Sequence, residues 1–371
     1  MSFSTIRDQN IKSITMKVLY AIQATGNGHI SRASEIIPLL KKKCDVDILI
    51  SGTEADVDLD HFIKYRRKGL CYVFGKKGGI DLYETFKKMQ SKRFLEEIRN
   101  FPVEGYDLVI NDFEPVSAWA CRSKNVPCVS MSHQYAILHK NSPRPAKFDP
   151  LAWMVLRHYA PCKQGVGFHF KKYGENIFTP VIRKEIRNAN VRNLGHYTVY
   201  LPAYHEEKLI KYLSRFKDIR WHIFSKHSKK SFIEKNCWIR PVDNIDFAES
   251  FVTCEGIISG GGFETPAEAL HMGKKLLVIP MKNQYEQHCN AAGIKQFGVP
   301  VIKSLKDKHY DTIKTWLDSP QNIEVDFKDE TEKIIDIVLS KALSAKKANN
   351  DLFIPDSIIQ TPADLFMPKA I

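Results

Sequence analysis

The 371-residue chain has no run of 18 apolar residues, so no helix is expected to cross a membrane. It has no Cys-x-x-Cys pair. Its eight cysteines, at positions 44, 71, 121, 128, 162, 237, 254 and 289, are scattered, and several fall in apolar runs. They read as buried, reduced thiols, which excludes a disulfide frame and a cysteine zinc site. The opening MSFSTIRDQNIKSITMK lacks the long apolar stretch of a secretory signal, so a cytoplasmic location is expected. No Asp-x-Asp stands at the end of a strand-like run, so no metal is expected to hold a diphosphate there. There is no tandem repeat of roughly 20–50 residues. No motif interleaves aromatic with basic residues, so a nucleic-acid partner is not expected.

What is present is a globular composition, 43% hydrophobic, 26% charged and 11% aromatic, long enough for two domains. The net charge of +13 is uneven. Residues 1–150 carry +6, residues 151–250 carry +9 and residues 251–371 carry −2. A positive middle favours anionic partners such as nucleotides or acidic lipid; the plainer alternative is solubility alone.

Short apolar runs at 17–22, 45–51, 70–74, 107–113 and 127–133 alternate with helical patterns at 29–43 and 81–101. Such alternation predicts a parallel sheet covered on both faces. Three prolines in 139–150 predict an ordered loop, followed by a helix at 151–159 and a strand at 165–170. Residues 176–186 read as a crossing between domains. Strand runs then return at 196–204, 221–225, 236–242, 256–259 and 274–280, with a late amphipathic helix at 328–345 and a loosely docked tail. The expected architecture is two doubly wound α/β domains facing a cleft: 1–173, 174–338, and a helix end and tail at 339–371.

Two glycine loops carry the chemistry. The first strand runs into Gly26, Asn27, Gly28 and His29, where a helix starts with its free N–H groups toward the cleft. A third glycine is missing, because Ser31 stands in its place, and no acid ends the second strand. A nicotinamide cofactor is therefore disfavoured. A neutral imidazole at His29 can take a proton from a hydroxyl; the alternative is a capping histidine without chemistry. The second loop, Gly260, Gly261 and Gly262, precedes Thr265 and Pro266, which read as N-cap and first helical residue. Three glycines before a helix suit a diphosphate cradle in which backbone N–H groups replace a metal. Glu264 and Glu268 stand beside it, and a carboxylate there can hold ribose hydroxyls. Glu286 and Gln287 follow the next strand and could bond sugar hydroxyls.

With these residues stated, the block 259–292 resembles the donor half of GT-B glycosyltransferases. The likeness is to the family 28 type, which includes the peptidoglycan GlcNAc transferase and the diacylglycerol glycosyltransferases. The string GNGHISRA is similar to a little-characterised GT-B subgroup. The resemblance implies a UDP-hexose or UDP-N-acetylhexosamine donor on domain two, and an acceptor glycan or glycolipid entering over domain one. It implies inverting transfer with no cofactor or metal, and a peripheral seat on the inner face of the cytoplasmic membrane. It makes Glu268 the ribose ligand and Glu286 with Gln287 the donor-sugar contacts. His29 becomes the loop histidine, and His133 with Gln134 an acceptor-side loop. Thr179-Pro180-Val181-Ile182-Arg183 is similar to the family's entry into the second domain. Two departures stand out. Leu201-Pro202-Ala203-Tyr204 replaces a glycine-rich phosphate loop, and Asn111-Asp112-Phe113-Glu114-Pro115 replaces a glycine-rich turn. Asp112 or Glu114 could thus be the base instead of His29. A UDP-N-acetylglucosamine 2-epimerase on the same architecture and a non-catalytic sugar- or nucleic-acid-binding protein are the alternatives.

Overall fold

Residues 17–23, KVLYAIQ, are buried at every position but the first, as expected of a central strand covered on both faces. The computed structural model describes residues 16–24, 26–52, 59–70, 74–75, 79–80, 91–320 and 322–351. In chain order the first half comprises β1 (Lys17–Gln23), α1 (Asn27–Lys41), β2 (Asp45–Ser51), β3 (Tyr65–Arg67), β4 (Phe74–Gly75), β5 (Gly79–Ile80) and α2 (Lys92–Arg99). It continues through β6 (Leu108–Asp112), α3 (Pro115–Lys124), β7 (Cys128–Ser132), α4 (His133–Ile137), α5 (Pro150–Tyr159), β8 (Gln164–Phe168) and β9 (Ile177–Phe178). Seven of these strands form an all-parallel sheet in the order β3-β2-β1-β6-β7-β8-β9.

The second half begins with α6 (Lys184–Arg187), β10 (His196–Tyr200), α7 (Glu206–Leu213), β11 (Arg220–Ser225), β12 (Phe232–Glu234), β13 (Cys237–Pro241) and α8 (Asn244–Thr253). Then come β14 (Gly256–Ser259), α9 (Glu264–His271), β15 (Lys275–Val278), α10 (Tyr285–Lys295), α11 (Tyr310–Asp318) and α12 (Thr331–Asp351). The second sheet has the order β12-β13-β11-β10-β14-β15, parallel except for the edge strand β12. In both sheets the strand order reverses beside the first strand, between β1 and β6 and between β10 and β14. Open α/β sheets bind ligands at the carboxyl ends of such reversals. The architecture is GT-B, two Rossmann-like domains.

Several expectations move. Among the described residues the strand after β2 is Tyr65–Arg67, paired with Leu49, Ile50 and Ser51, ahead of the expected 70–74. An edge strand tolerates charge, so YRR gave no apolar run to find. Residues 71–73 of the expected strand, and 81–90 of the expected helix with Leu82, Phe86, Lys87, Lys88 and Met89, lie outside the described residues, as does the tail 352–371. The described helix starts after Ser91, whose hydroxyl accepts from the Phe94 N–H at 3.3 Å. The first sheet continues past residue 173 to Phe178. The late helix α12 packs on α1, β6, β7 and β8 of the first sheet's layer. One apolar cluster joins Phe170, Phe178, Val181 and Ile182 of the crossing to Phe263 and Ala267, so the core is continuous through the domain seam.

Candidate active site

The N-terminus of α1 faces the carboxyl end of β6. Gly26 caps α1 in an extended conformation, and no side chain caps the first turn. His29 and Arg32 lie three residues apart on α1, hence on one face, and both reach Asp112. His29 Nδ1 is 2.8 Å from Asp112 Oδ1, and Arg32 Nη2 donates to both Asp112 oxygens at 2.8 Å. Asp112 is fully buried. Burial alone would raise its carboxyl, but the Arg32 guanidinium and His29 hold it below the usual range. An ionised carboxylate only accepts, so beside Asp112 the proton sits on His29 Nδ1, with Arg32 Nη2 also 3.1 Å from that atom, and Nε2 carries the lone pair. This assigns the tautomer from the network of partners. Gln134 Nε2 lies 3.4 Å from that nitrogen and also donates to Glu286 Oε2 at 3.2 Å.

Phe113 follows Asp112 with φ +59°, a left-handed conformation that is strained for a bulky residue. Its ring is stacked on Tyr159 at 4.8 Å, which holds the turn. Asn111 closes it, donating to Glu114 O at 2.7 Å and accepting from Glu114 N at 3.1 Å. The Glu114 carboxylate then caps α3, accepting from Val116 N at 2.8 Å and Ser117 N at 2.6 Å. Fully buried and spent on two backbone donors, Glu114 is a helix cap; its place as a candidate base passes to His29 and Asp112.

The second glycine loop differs from its expected form. The Gly260 N–H donates to Tyr200 O at 3.3 Å and the Gly261 N–H to Gln287 Oε1 at 3.0 Å. Gln287 Oε1 accepts a second bond from Met281 N at 2.8 Å. Gln287 therefore braces the loop, and its carbonyl oxygen is occupied. Helix α9 starts one residue before Thr265, with Phe263 at the cap position and no side-chain cap bond. Pro266 sits in the first turn, where its missing N–H costs nothing. The amides that a diphosphate can use are thus those from Gly262 to Thr265, beyond Gly260 and Gly261.

Contacts across the seam complete the site. Arg32 Nη1 donates to Glu264 Oε1, joining α1 to α9. Burial, with Glu268 and Asp112 nearby, pushes the Glu264 carboxyl up to about 7, although Arg32 and His29 oppose the rise. Glu268 is held by Arg183, whose Nε and Nη2 donate to Oε1 and Oε2 at 2.6 and 2.8 Å. His133 stacks on Phe263 with ring centroids 3.8 Å apart. Its Nδ1 lies 2.7 Å from Phe168 O and its Nε2 2.6 Å from Asn290 Oδ1, while Asn290 Nδ2 donates to Gly261 O at 3.0 Å. His133 is therefore part of the seam, not an open acceptor surface. Arg32, Arg183 and Asn290 were not singled out as site residues in the sequence. The three-residue spacing of His29 and Arg32 was the available signal for the first.

Among the described residues one group, His205, Glu206 and Glu207, brings three potential metal ligands within 4.8 Å of one another. It lies at the amino end of α7, with His205 at the cap position and Glu206 and Glu207 in the first turn, and is largely exposed. The seven described cysteines are free thiols. Among the described residues no helix is long and apolar enough to cross a membrane.

A family model described as glycosyl transferase family 1 matches residues 16–319. No curated protein matches. Solved structures do. The glycotransferase of kitacinnamycin is 13% identical, covering 92% of this chain and 100% of its own at a TM-score of 0.55. MurG of Acinetobacter baumannii is 15% identical, covering 87% and 99% at 0.53. A UDP-N-acetylglucosamine 2-epimerase is 13% identical, covering 93% and 99% at 0.51. At such identities these likenesses speak to the fold.

Proposed function

The chain belongs to glycosyl transferase family 1 and is a glycosyltransferase; from that premise we propose that it moves a hexose or N-acetylhexosamine from a UDP-sugar to an acceptor hydroxyl, with inversion and without a metal. The observation that carries the chemistry is the His29–Asp112 pair at 2.8 Å. Asp112 fixes the ring and stabilises the imidazolium that forms, leaving Nε2 to take the acceptor proton. As that proton moves to Nε2, the acceptor oxygen bonds to the anomeric carbon. The bond from that carbon to the diphosphate oxygen breaks, and the electron pair leaves with the nucleoside diphosphate. The free amides from Gly262 to Thr265 and the dipole of α9 meet the developing charge. Glu268, oriented by Arg183, accepts from the ribose hydroxyls, and Glu286, held by Gln134, contacts the donor sugar together with the amide nitrogen of Gln287.

The test is a panel of UDP-, GDP-, dTDP- and CDP-sugars, scored for slow nucleotide release and for transfer. UDP release from a UDP-sugar is the expected result, and it persists in EDTA. Loss in EDTA with recovery on Mg²⁺ or Mn²⁺ would transfer the diphosphate to a metal, with His205, Glu206 and Glu207 the first ligands to replace. Release of UDP only with a changed sugar would favour an epimerase.

Glu268→Ala removes charge-assisted bonds of about 1.5–3 kcal/mol. The donor KM is expected to rise at least about tenfold with the acceptor KM unchanged. An unaltered donor KM would take Glu268 out of the site.

An anionic membrane surface is the proposed partner of the positive middle segment and of the basic residues Lys92, Arg93 and Arg99 on α2. Each basic residue near such a surface adds about 1 kcal/mol, weakened by salt. Flotation with anionic vesicles at low salt, and none with neutral vesicles, is the expected result. Absence of flotation in both would leave a soluble acceptor.

A further inference from the structure

Glu264 has an unusual seat. Helix α1 has no acid in its first turn and no side-chain cap, so its amino end is without an anion of its own. Glu264, from the other domain, comes against that end: a Cβ placed on Gly28 would lie 3.0 Å from Glu264 Cγ. Glu264 also stands in the first turn of α9, whose cap residue Phe263 offers no side-chain bond. One carboxylate is therefore placed between two helix amino ends, with a buried guanidinium, Arg32, donating to it. Two facing helix N-termini with an arginine between them make a site suited to phosphate oxygens.

Arg32 does not depend on Glu264. Its Nη2 is bound to both oxygens of Asp112 within α1 and β6, and its buried Nε has no hydrogen-bond partner among the described residues. The charge count also sets Glu264 apart. Asp112 is matched by Arg32 and Glu268 by Arg183, whereas Glu264 has only the remaining Nη1 of a guanidinium already committed to Asp112. Its side chain is 16% exposed, against none for Asp112 and 4% for Glu268, so it borders the cleft.

Resting on the donor reading above, we infer that Glu264 is an internal competitor for the donor diphosphate: its carboxylate fills a phosphate seat beside Arg32, and Arg32 turns from Glu264 to the phosphate when the donor binds. Glu264 then swings toward the cleft. A carboxyl held up to about 7 loses little by leaving one hydrogen-bond donor for water. Donor binding thereby breaks one link between the domains and replaces it by a link through the phosphate.

Calorimetry with inorganic pyrophosphate and with UDP tests this on the full chain. Glu264→Gln and Glu264→Ala are expected to bind pyrophosphate about tenfold tighter than the unaltered protein, because the competing charge is gone. Arg32→Lys, which keeps a charge for Asp112, is expected to bind it about tenfold weaker, with thermal unfolding measured alongside to confirm the fold. Glu264 variants that bind pyrophosphate no tighter, or more weakly, would overturn the inference while leaving UDP binding by the unaltered protein, and hence the donor reading, standing. No binding of either probe by the unaltered protein would sink the donor reading and the inference together.

Discussion

His29→Ala is expected to lower kcat by about 10²-fold or more, since a positioned general base contributes about 10²–10⁴-fold. The donor KM should move little, because His29 stands on α1 of the first domain and takes no part in the amide cradle at α9. Asp112→Asn should be at least as severe. It deprives the Nδ1 proton of its carboxylate and frees the ring to adopt the wrong tautomer. It also leaves the buried Arg32 guanidinium with only Glu264. The check is the initial rate of transfer at saturating donor, with thermal unfolding of both variants to separate chemistry from folding. A nearly normal His29→Ala beside an inactive Asp112→Asn would make Asp112 the base. Glu114→Ala belongs to a different category: it removes the α3 cap, so its effect should be a loss of stability of about 0.5–2 kcal/mol, with kcat per folded molecule preserved.

Gly261→Ala should nearly abolish donor binding, although the change adds a single methyl group. A Cβ at this position would lie 2.8 Å from Gln287 Cβ and 2.8 Å from Gln287 O, with Pro280 Cβ at 3.1 Å. Backbone oxygen does not move as a flexible side-chain tip does, so the loop itself must shift. That shift breaks the Gly261 N–H bond to Gln287 and the Asn290 bond to Gly261 O. Overpacking of this kind costs about 1–3 kcal/mol, and here it falls on the loop that aims the α9 amides. Gly262→Ala is the control, because no atom lies within 4 Å of its Cβ position. Nucleotide affinity measured on both should fall more than tenfold in the first and by a few-fold at most in the second. Equal effects would mean that the close packing at Gly261 does not aim the α9 amides.

The sheets were legible where their strands are central. KVLYAI and the Leu-Val-Ile run of β6 are continuously apolar because helices cover both faces, and that pattern can be read without a structure. The edge strand Tyr65–Arg67 carries two arginines because solvent reaches it, so nothing apolar marked it. The site was legible by residue more than by role. His29 and Asp112 were both apparent at strand ends, but as rival bases; their 2.8 Å pairing makes them one device. A polar residue after a strand reads as a ligand, and the Gln287 amide nitrogen is not engaged by the bonds that occupy its oxygen, but the bracing role of that oxygen has no mark in the sequence. The oxygen holds two backbone N–H groups 20 residues apart in sequence, at Gly261 and Met281, and such long-range bracing leaves no local pattern. Arg32 was hidden for a similar reason. An arginine on an amphipathic helix reads as surface until the partner strand and the second domain bury it.

The return of α12 to the first sheet has a consequence for synthesis on the ribosome. Val129, Met131 and Val166 of β7 and β8 belong to the same apolar cluster as Ile334, Ile335 and Val338 of α12. The amino-terminal domain emerges first, yet α1 covers this face of its sheet only over β1 and β2, and the part over β6, β7 and β8 lacks the cover of α12 until residues 331–342 have been made. The later domain, translated in between, has its strands and its covering helices α7, α8, α9 and α11 close together in the chain and can fold as it appears. Order of birth and order of completion are therefore inverted: the nascent chain carries a bare apolar strip through most of its translation, and a chain arrested before residue 331 would leave its oldest part, not its newest, open to chaperones and proteases.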